Sequence, residues 1–384
     1  MNDAASAALE RVPYATAAKS LGKSTEKVDY IEYFRGLAII LIVAGHAFDF
    51  TWAQADQAGL AVSANMFGVP SVLITGSTLY FVFISGFLYR YAFYDRMTYR
   101  DFMRKKLLYV GLPYFLIGSL LSLYQIGTSN VDVAVSRHGL PLGGNVWVDY
   151  VVLMMTGQMM TAYWYIPFIM VMFLAAPLFD WYIRQRNATK AGILVVWVLL
   201  ALWAHRPYEN LNPLHSAVYF GHMYLFGILF CEQRRRIMPM LTLTLPLVAL
   251  AAALVEIAMF QSGVQQLYDS IERGPGDGWW PLGIDLILIQ KYVGVLLLCG
   301  LLHRWGGKMQ GFLRFMARYS FGLYFVHGIV LAALTHVSGP AWPMADLPMA
   351  AFAINTLVVL IVSTGIVAVV RQLAGDRSRY VIGS

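Results

Sequence analysis

Charge is scarce in this chain. Only 13% of its 384 residues are Asp, Glu, Lys or Arg, against about a quarter in an ordinary soluble domain. That deficit, with 59% hydrophobic residues, excludes a soluble globular protein and points to an integral membrane protein. Cysteine is nearly absent too. Cys231 and Cys299 both fall inside apolar runs, which excludes a disulfide framework and reads as small core residues. No His-x-x-x-His or Cys-x-x-Cys pattern occurs, and His46, His222 and His327 lack metal-ligand spacing, so no metal is expected. The first 29 residues have no secretory apolar region. The chain lacks repeats, low-complexity linkers and a second soluble domain. It divides into a cytoplasmic tail over 1–29, one membrane domain over 30–372 and a second cytoplasmic tail over 373–384.

What the chain has is apolar runs of the roughly 20 residues that cross a bilayer. Ten are expected, near 33–50, 70–90, 107–126, 163–182, 190–205, 216–232, 240–260, 283–302, 319–337 and 347–370. All are read as helices, because lipid-exposed backbone must satisfy its own hydrogen bonds. The apolar stretch 146–160 is too short for a span and reads as interfacial or re-entrant. With the N-terminus inside, all but four of the 28 Lys and Arg residues fall on the inside. The exceptions are Arg137, Arg206 and Arg273 outside and Lys291 within a span. This is the positive-inside asymmetry. It explains a net charge of +7 without a nucleic-acid partner and leaves membrane lipids as the partner of the basic loops. The expected fold is an all-α bundle of about ten transmembrane helices, both termini inside, with Gly274–Gly278 as an external turn.

The first span, 33-YFRGLAIILIVAGH-46, carries an arginine at one end and a histidine at the other. Eleven residues turn a helix about 20° past three full turns, so Arg35 and His46 share a face about 16 Å apart. Glu32 is one turn before Arg35 and Asp49 one turn after His46. Polar residues in a span face a bundle interior or a cavity, so the stripe of four predicts a polar channel. Taken singly, Arg35 also reads as a membrane-edge cation or as the ion-pair partner of Glu32, His46 as an interhelical hydrogen-bonder, and Asp49 as an exposed loop carboxylate. Asp285 and Lys291 are costly charges in the eighth span and are expected to pair across helices.

Arg-x10-His in a first span resembles the signature of the acyltransferase-3 family of membrane O-acyltransferases. The resemblance runs along the chain. Phe81–Phe87 is similar to the family's aromatic Ser-Gly-Phe run, and Phe102–Tyr114 to its basic segment ending in Pro-Tyr. Tyr163-Trp164-Tyr165 resembles the start of a family helix, and Ser320–His327 its Ser-Tyr-Gly-Ile-Tyr-Leu-x-His element. Many relatives carry Arg-x-x-Arg before the Pro-Tyr, whereas this chain has Lys106 and Tyr109 three residues apart there.

The resemblance implies transfer of an acyl group, often acetyl, from cytoplasmic acyl-CoA to a hydroxyl of an extracytoplasmic or lipid-linked glycan, in a bacterial inner membrane. Acetyl-CoA or another acyl-CoA is then the donor, a glycan the acceptor, and other polysaccharide synthesis proteins are candidate partners. His46 is the candidate general base or, alternatively, the carrier of an acyl-enzyme. Asp49 would orient it, and His327 would share the cavity. Cations hold CoA phosphates, which nominates Arg35, Arg100, Arg104, Lys105 and Lys106, although topology-setting charge explains the last four equally well. Ser85 and Trp164 are candidate stabilisers of the oxyanion, with Tyr324 and Glu32 in support. An exporter or flippase of polysaccharide, and a non-catalytic subunit of a polysaccharide synthase, are the competing readings.

Overall fold

The computed structural model describes residues 28–57, 73–128, 142, 144–262, 272–273, 284–338 and 347–384. Residues 1–27 of the tail expected over 1–29 and the turn at Gly274–Gly278 lie outside them. Thirteen helices are described: α1 (Asp29–Gln57), α2 (Thr78–Leu88), α3 (Tyr99–Lys106), α4 (Leu112–Gly127), α5 (Val146–Thr156), α6 (Tyr165–Leu174), α7 (Ala176–Ile183), α8 (Asn187–Ala204), α9 (Pro213–Ser262), α10 (Leu286–Trp305), α11 (Gln310–Ser338), α12 (Pro348–Ala374) and α13 (Ser378–Val381). π-Helical turns at Tyr89–Phe93 and Leu107–Gly111 extend α2 and join α3 to α4. A two-residue parallel bridge pairs Arg206–Pro207 with Glu272–Arg273.

Side-chain caps start several helices. Thr98 accepts from the Asp101 amide before α3, and Asn145 accepts from Trp147 and Val148 before α5. Asp285 accepts from Leu288 before α10. Each satisfies amides that a helix N-terminus leaves unpaired.

Six stretches are long and apolar enough to cross a membrane, or seven with the bent pair α6–α7. The ten apolar runs of the sequence, so far as they are described, each coincide with a helix or part of one, and four departures account for the difference: one is that Leu286–Thr335, α10 with most of α11, counts as a single stretch, and three lie elsewhere. α2 is only 11 residues long. α6 and α7 break by 54° at Ala175, just before Pro177, whose ring cannot continue a helix. α9 covers two of the expected runs. It is not straight, because His222 bonds Tyr292 while Glu256 bonds Gln290, both partners lying on one turn of α10. A straight helix would hold those two α9 residues about 51 Å apart at 1.5 Å per residue. The chain therefore turns back between them, where Pro239 and Pro246 interrupt the helix.

α1 packs against α2, α11 and α12, and α2 also lies along α9. Glycines permit these crossings. A Cβ on Gly36 would strike the Leu313 carbonyl, one on Gly86 the Tyr224 carbonyl, and one on Gly227 the Phe83 carbonyl. Small residues at helix crossings are the usual means of close approach in membranes. Aromatic side chains fill the interior, with Phe34, Phe83, Phe87, Phe168 and Tyr224 almost wholly buried. The outer surface is apolar instead: Leu120, Trp147, Leu243 and Leu373 stand exposed, as a lipid-facing belt requires. The chain is an all-α membrane protein.

Charged side chains tie several helix ends together. Arg90 contacts Asp95 and Glu232, and Lys190 also contacts Glu232 at 2.5 Å. The Tyr89 hydroxyl donates to Asp180. The segment 373–384 is docked on the bundle. Ile382 is buried, and the Tyr380 ring lies 5.6 Å from that of Tyr109.

Candidate functional site

α1 is unbroken from Arg35 to His46, so the two stand three turns apart on one face as the spacing requires. Their surroundings differ. His46 lines a cavity of about 100 Å³ together with Asp49, Thr75, Thr78, Trp164, Arg206 and Tyr219. It also lines a second, smaller cavity of about 20 Å³, with Ile42, Thr78, Phe81, Trp164, Tyr165 and Tyr324. His46, Thr78 and Trp164 thus stand where the two cavities meet. Neither cavity reaches Arg35 or Glu32. The expected polar channel is therefore confined to the His46 half of the stripe.

His46 Nδ1 lies 3.7 Å from Asp49 Oδ2. That is longer than a hydrogen bond but close enough for the carboxylate to favour the tautomer protonated on Nδ1. Asp49 is itself exposed. On the other side His46 stacks on His327, with ring centroids 5.4 Å apart and an interplanar angle of 30°. His327 is fully buried and lines neither cavity. Its Nδ1 lies 2.9 Å from the Leu323 carbonyl, so Nδ1 carries the proton and donates. Nε2 is buried without a partner. The structure places His327 behind His46 rather than in the cavity beside it.

Trp164 stacks on Phe220 at 5.4 Å. The Tyr324 hydroxyl donates to the Ala162 carbonyl at 2.5 Å, which fixes the strand of chain that enters α6. Ala162 itself has a left-handed backbone, φ 70°. Ser85 faces the Tyr165 hydroxyl and lines neither cavity.

The other nominated residues separate. Glu32 does not pair with Arg35. Its Oε2 lies 3.3 Å from Arg314 of α11, which also holds Asp29 at 3.1 Å. The Nε of Arg35 is buried without a hydrogen-bond partner. Arg100, Arg104 and Lys105 are exposed on α3. Lys106 points away from them, its ammonium 4.5 Å from the Phe93 ring centre, 5.3 Å from Phe102 and 4.6 Å from Phe173. A cation enclosed by three aromatic faces is held structurally.

Four polar residues of the larger cavity, Thr75, Thr78, Arg206 and Tyr219, escaped the sequence reading. Thr75 and Thr78 lie in the run near 70–90 that was read only as an apolar span, Tyr219 sits one turn before His222, and Arg206 was read only as an outside charge. Tyr219 donates to Asp285 at 2.6 Å, and Arg206 Nε donates to Asn210 at 3.1 Å. The scarcity of outside cations was the signal available for Arg206. The eighth-span charges find partners as expected: Asp285 through Tyr219, and Lys291 through the Leu73 carbonyl at 3.0 Å and the Tyr80 ring at 4.8 Å. Among the described residues, no group of three or more His, Cys, Asp or Glu side chains is arranged to hold a metal.

Comparison with protein families gives one result. The model described as Acyltransferase domain, of the acyltransferase-3 type, matches residues 28–370. No curated protein matches the chain, and no solved structure does.

Proposed function

The chain belongs to the acyltransferase-3 family and is a membrane acyltransferase; from that premise we propose that it moves an acetyl group from cytoplasmic acetyl-CoA to a hydroxyl of an extracytoplasmic or lipid-linked glycan in a bacterial inner membrane, with His46 as general base. The observation that carries this reading is the position of His46 at the junction of two cavities inside the family domain. The larger cavity is lined by Arg206, Tyr219, Thr75 and Trp164, a mixture of polar and aromatic groups that suits a sugar.

In this mechanism Asp49 favours the Nδ1–H tautomer and leaves the Nε2 lone pair for the acceptor hydroxyl. As the hydroxyl oxygen bonds to the thioester carbon, its proton passes to Nε2. The carbon–sulfur bond then breaks, and the departing thiolate recovers that proton. A general base contributes typically 10²–10⁴-fold. His327 acts through His46, its stacked ring holding the imidazole plane. Thr78 stands beside His46 in both cavities and is the nearest candidate donor for the oxyanion that acyl transfer develops. Arg35, three turns below, grips the donor's phosphates, with Arg100, Arg104 and Lys105 as outlying cations that raise the local donor concentration.

The experiment is acyl transfer in membranes of cells expressing the protein. With [14C]acetyl-CoA, base-labile label is expected in the glycan fraction, absent from membranes without the protein. Absence of protein-dependent label would rule the reading out.

A further inference from the structure

The second cavity has no role assigned to it. It differs from the first in size and in chemistry. About 20 Å³ exceeds the roughly 10–15 Å³ that one water needs, so it accommodates one methyl-sized group with little to spare. Its walls are Ile42, Phe81 and the rings of Trp164, Tyr165 and Tyr324. Both phenols are engaged: the Tyr324 hydroxyl bonds the carbonyl of Ala162, itself a wall residue, and the Tyr165 hydroxyl faces Ser85. With both hydroxyls engaged, an occupant meets a mainly apolar wall. His46 and Thr78 close the side shared with the larger cavity. A group seated here would be apolar at its far end and within reach of both His46 and a second molecule at its near end.

We propose that this small cavity is the acyl pocket, that it admits a two-carbon acyl group and excludes longer ones, and that the Phe81 ring sets the limit. The inference rests on the acyltransferase reading above and adds the substrate dimension that reading leaves open. The methyl of an acetyl group fills the pocket while its carbonyl carbon remains beside His46 at the cavity junction. Each further methylene meets aromatic walls that pack against the core: Tyr165 lies 5.5 Å from Phe168 and 5.7 Å from Tyr324 by ring centres. Phe81 is the wall best suited to test. It borders the second cavity and not the first, and it is only partly buried, so trimming it leaves the larger cavity intact.

The test compares [14C]acetyl-CoA, propionyl-CoA and butyryl-CoA as donors in the same membranes. The wild-type protein should discriminate against each added methylene by roughly tenfold or more. Phe81→Ala should raise the butyryl-to-acetyl ratio at least tenfold, and Phe81→Leu, which keeps more of the packing, should raise the propionyl-to-acetyl ratio. Butyryl transfer by the wild type at the acetyl rate would overturn the pocket and leave the acyltransferase reading standing. So would unchanged ratios in whichever Phe81 variant is present at wild-type abundance. No transfer from any donor would overturn both.

Discussion

The two ends of the Arg35–His46 segment make opposite use of one helix face. Around His46 the bundle opens into two cavities, and the polar groups there come from α1, α2, the turn before α9 and the entry to α6. Around Arg35 it closes. Gly36 packs directly under the Leu313 backbone, and the Arg35 Nε is buried without a partner. Glu32, one turn further, is drawn away by Arg314. A single stripe of polar residues therefore serves two purposes. One end lines the cavities, and the other sets a guanidinium with an unpartnered Nε in a tight seam. A buried N–H without a partner is costly, which is the physical reason for proposing an anionic acceptor there.

Substituting Arg35 is the largest perturbation of that contrast. Arg35→Ala should raise the KM for acetyl-CoA by about 10–100-fold, the scale of a lost charge-assisted hydrogen bond of roughly 1.5–3 kcal/mol, with a smaller change in kcat. Initial rates across acetyl-CoA concentrations decide it. A fall in protein abundance with KM unchanged would make Arg35 structural and erase the difference between the two ends.

A smaller effect is expected behind His46. His327→Phe keeps a ring to stack on His46 but removes the orphaned Nε2, and kcat should stay within about tenfold of wild type, whereas a general base contributes typically 10²–10⁴-fold. A loss of that larger size in kcat, with normal folding, would move His327 from a positioning residue to a reacting one. The smallest effect belongs to Glu32. Its contact with Arg314 is exposed at the helix end, and exposed ion pairs contribute little. Glu32→Gln should leave transfer within about twofold, measured in the same assay; a tenfold loss would restore it to the site.

How much of this was legible in the sequence follows from what is local. Arg35 and His46 lie on one regular helix, so their spacing alone placed them on one face. Hydropathy alone located the apolar helices, but it counted ten spans where six stretches, or seven with the bent pair, are long and apolar enough to cross a membrane. The cavity walls are non-local, and no periodicity joins Thr78, Trp164, Arg206 and Tyr219. Glu32 illustrates the same limit. Its nearest cation in sequence is Arg35, but the one within reach is Arg314 on α11. Lys106 belonged by sequence to a basic cluster, yet three phenylalanines from α3, α6 and the turn after α2 enclose its ammonium. The break at Ala175 had a visible cause in Pro177. In α9 two prolines were visible too, but a helix turning back on itself is a property of its packing on α10.

The central claim is that His46 takes the acceptor's proton. The most direct measurement is acetyl transfer by His46→Ala against wild type, in membranes matched for protein abundance, together with protection of each purified protein against thermal unfolding by acetyl-CoA. The account predicts a loss of transfer of about 10²-fold or more with acetyl-CoA protection retained, because the substitution leaves the proposed donor contact at Arg35 intact. Transfer by His46→Ala at the wild-type rate would contradict it.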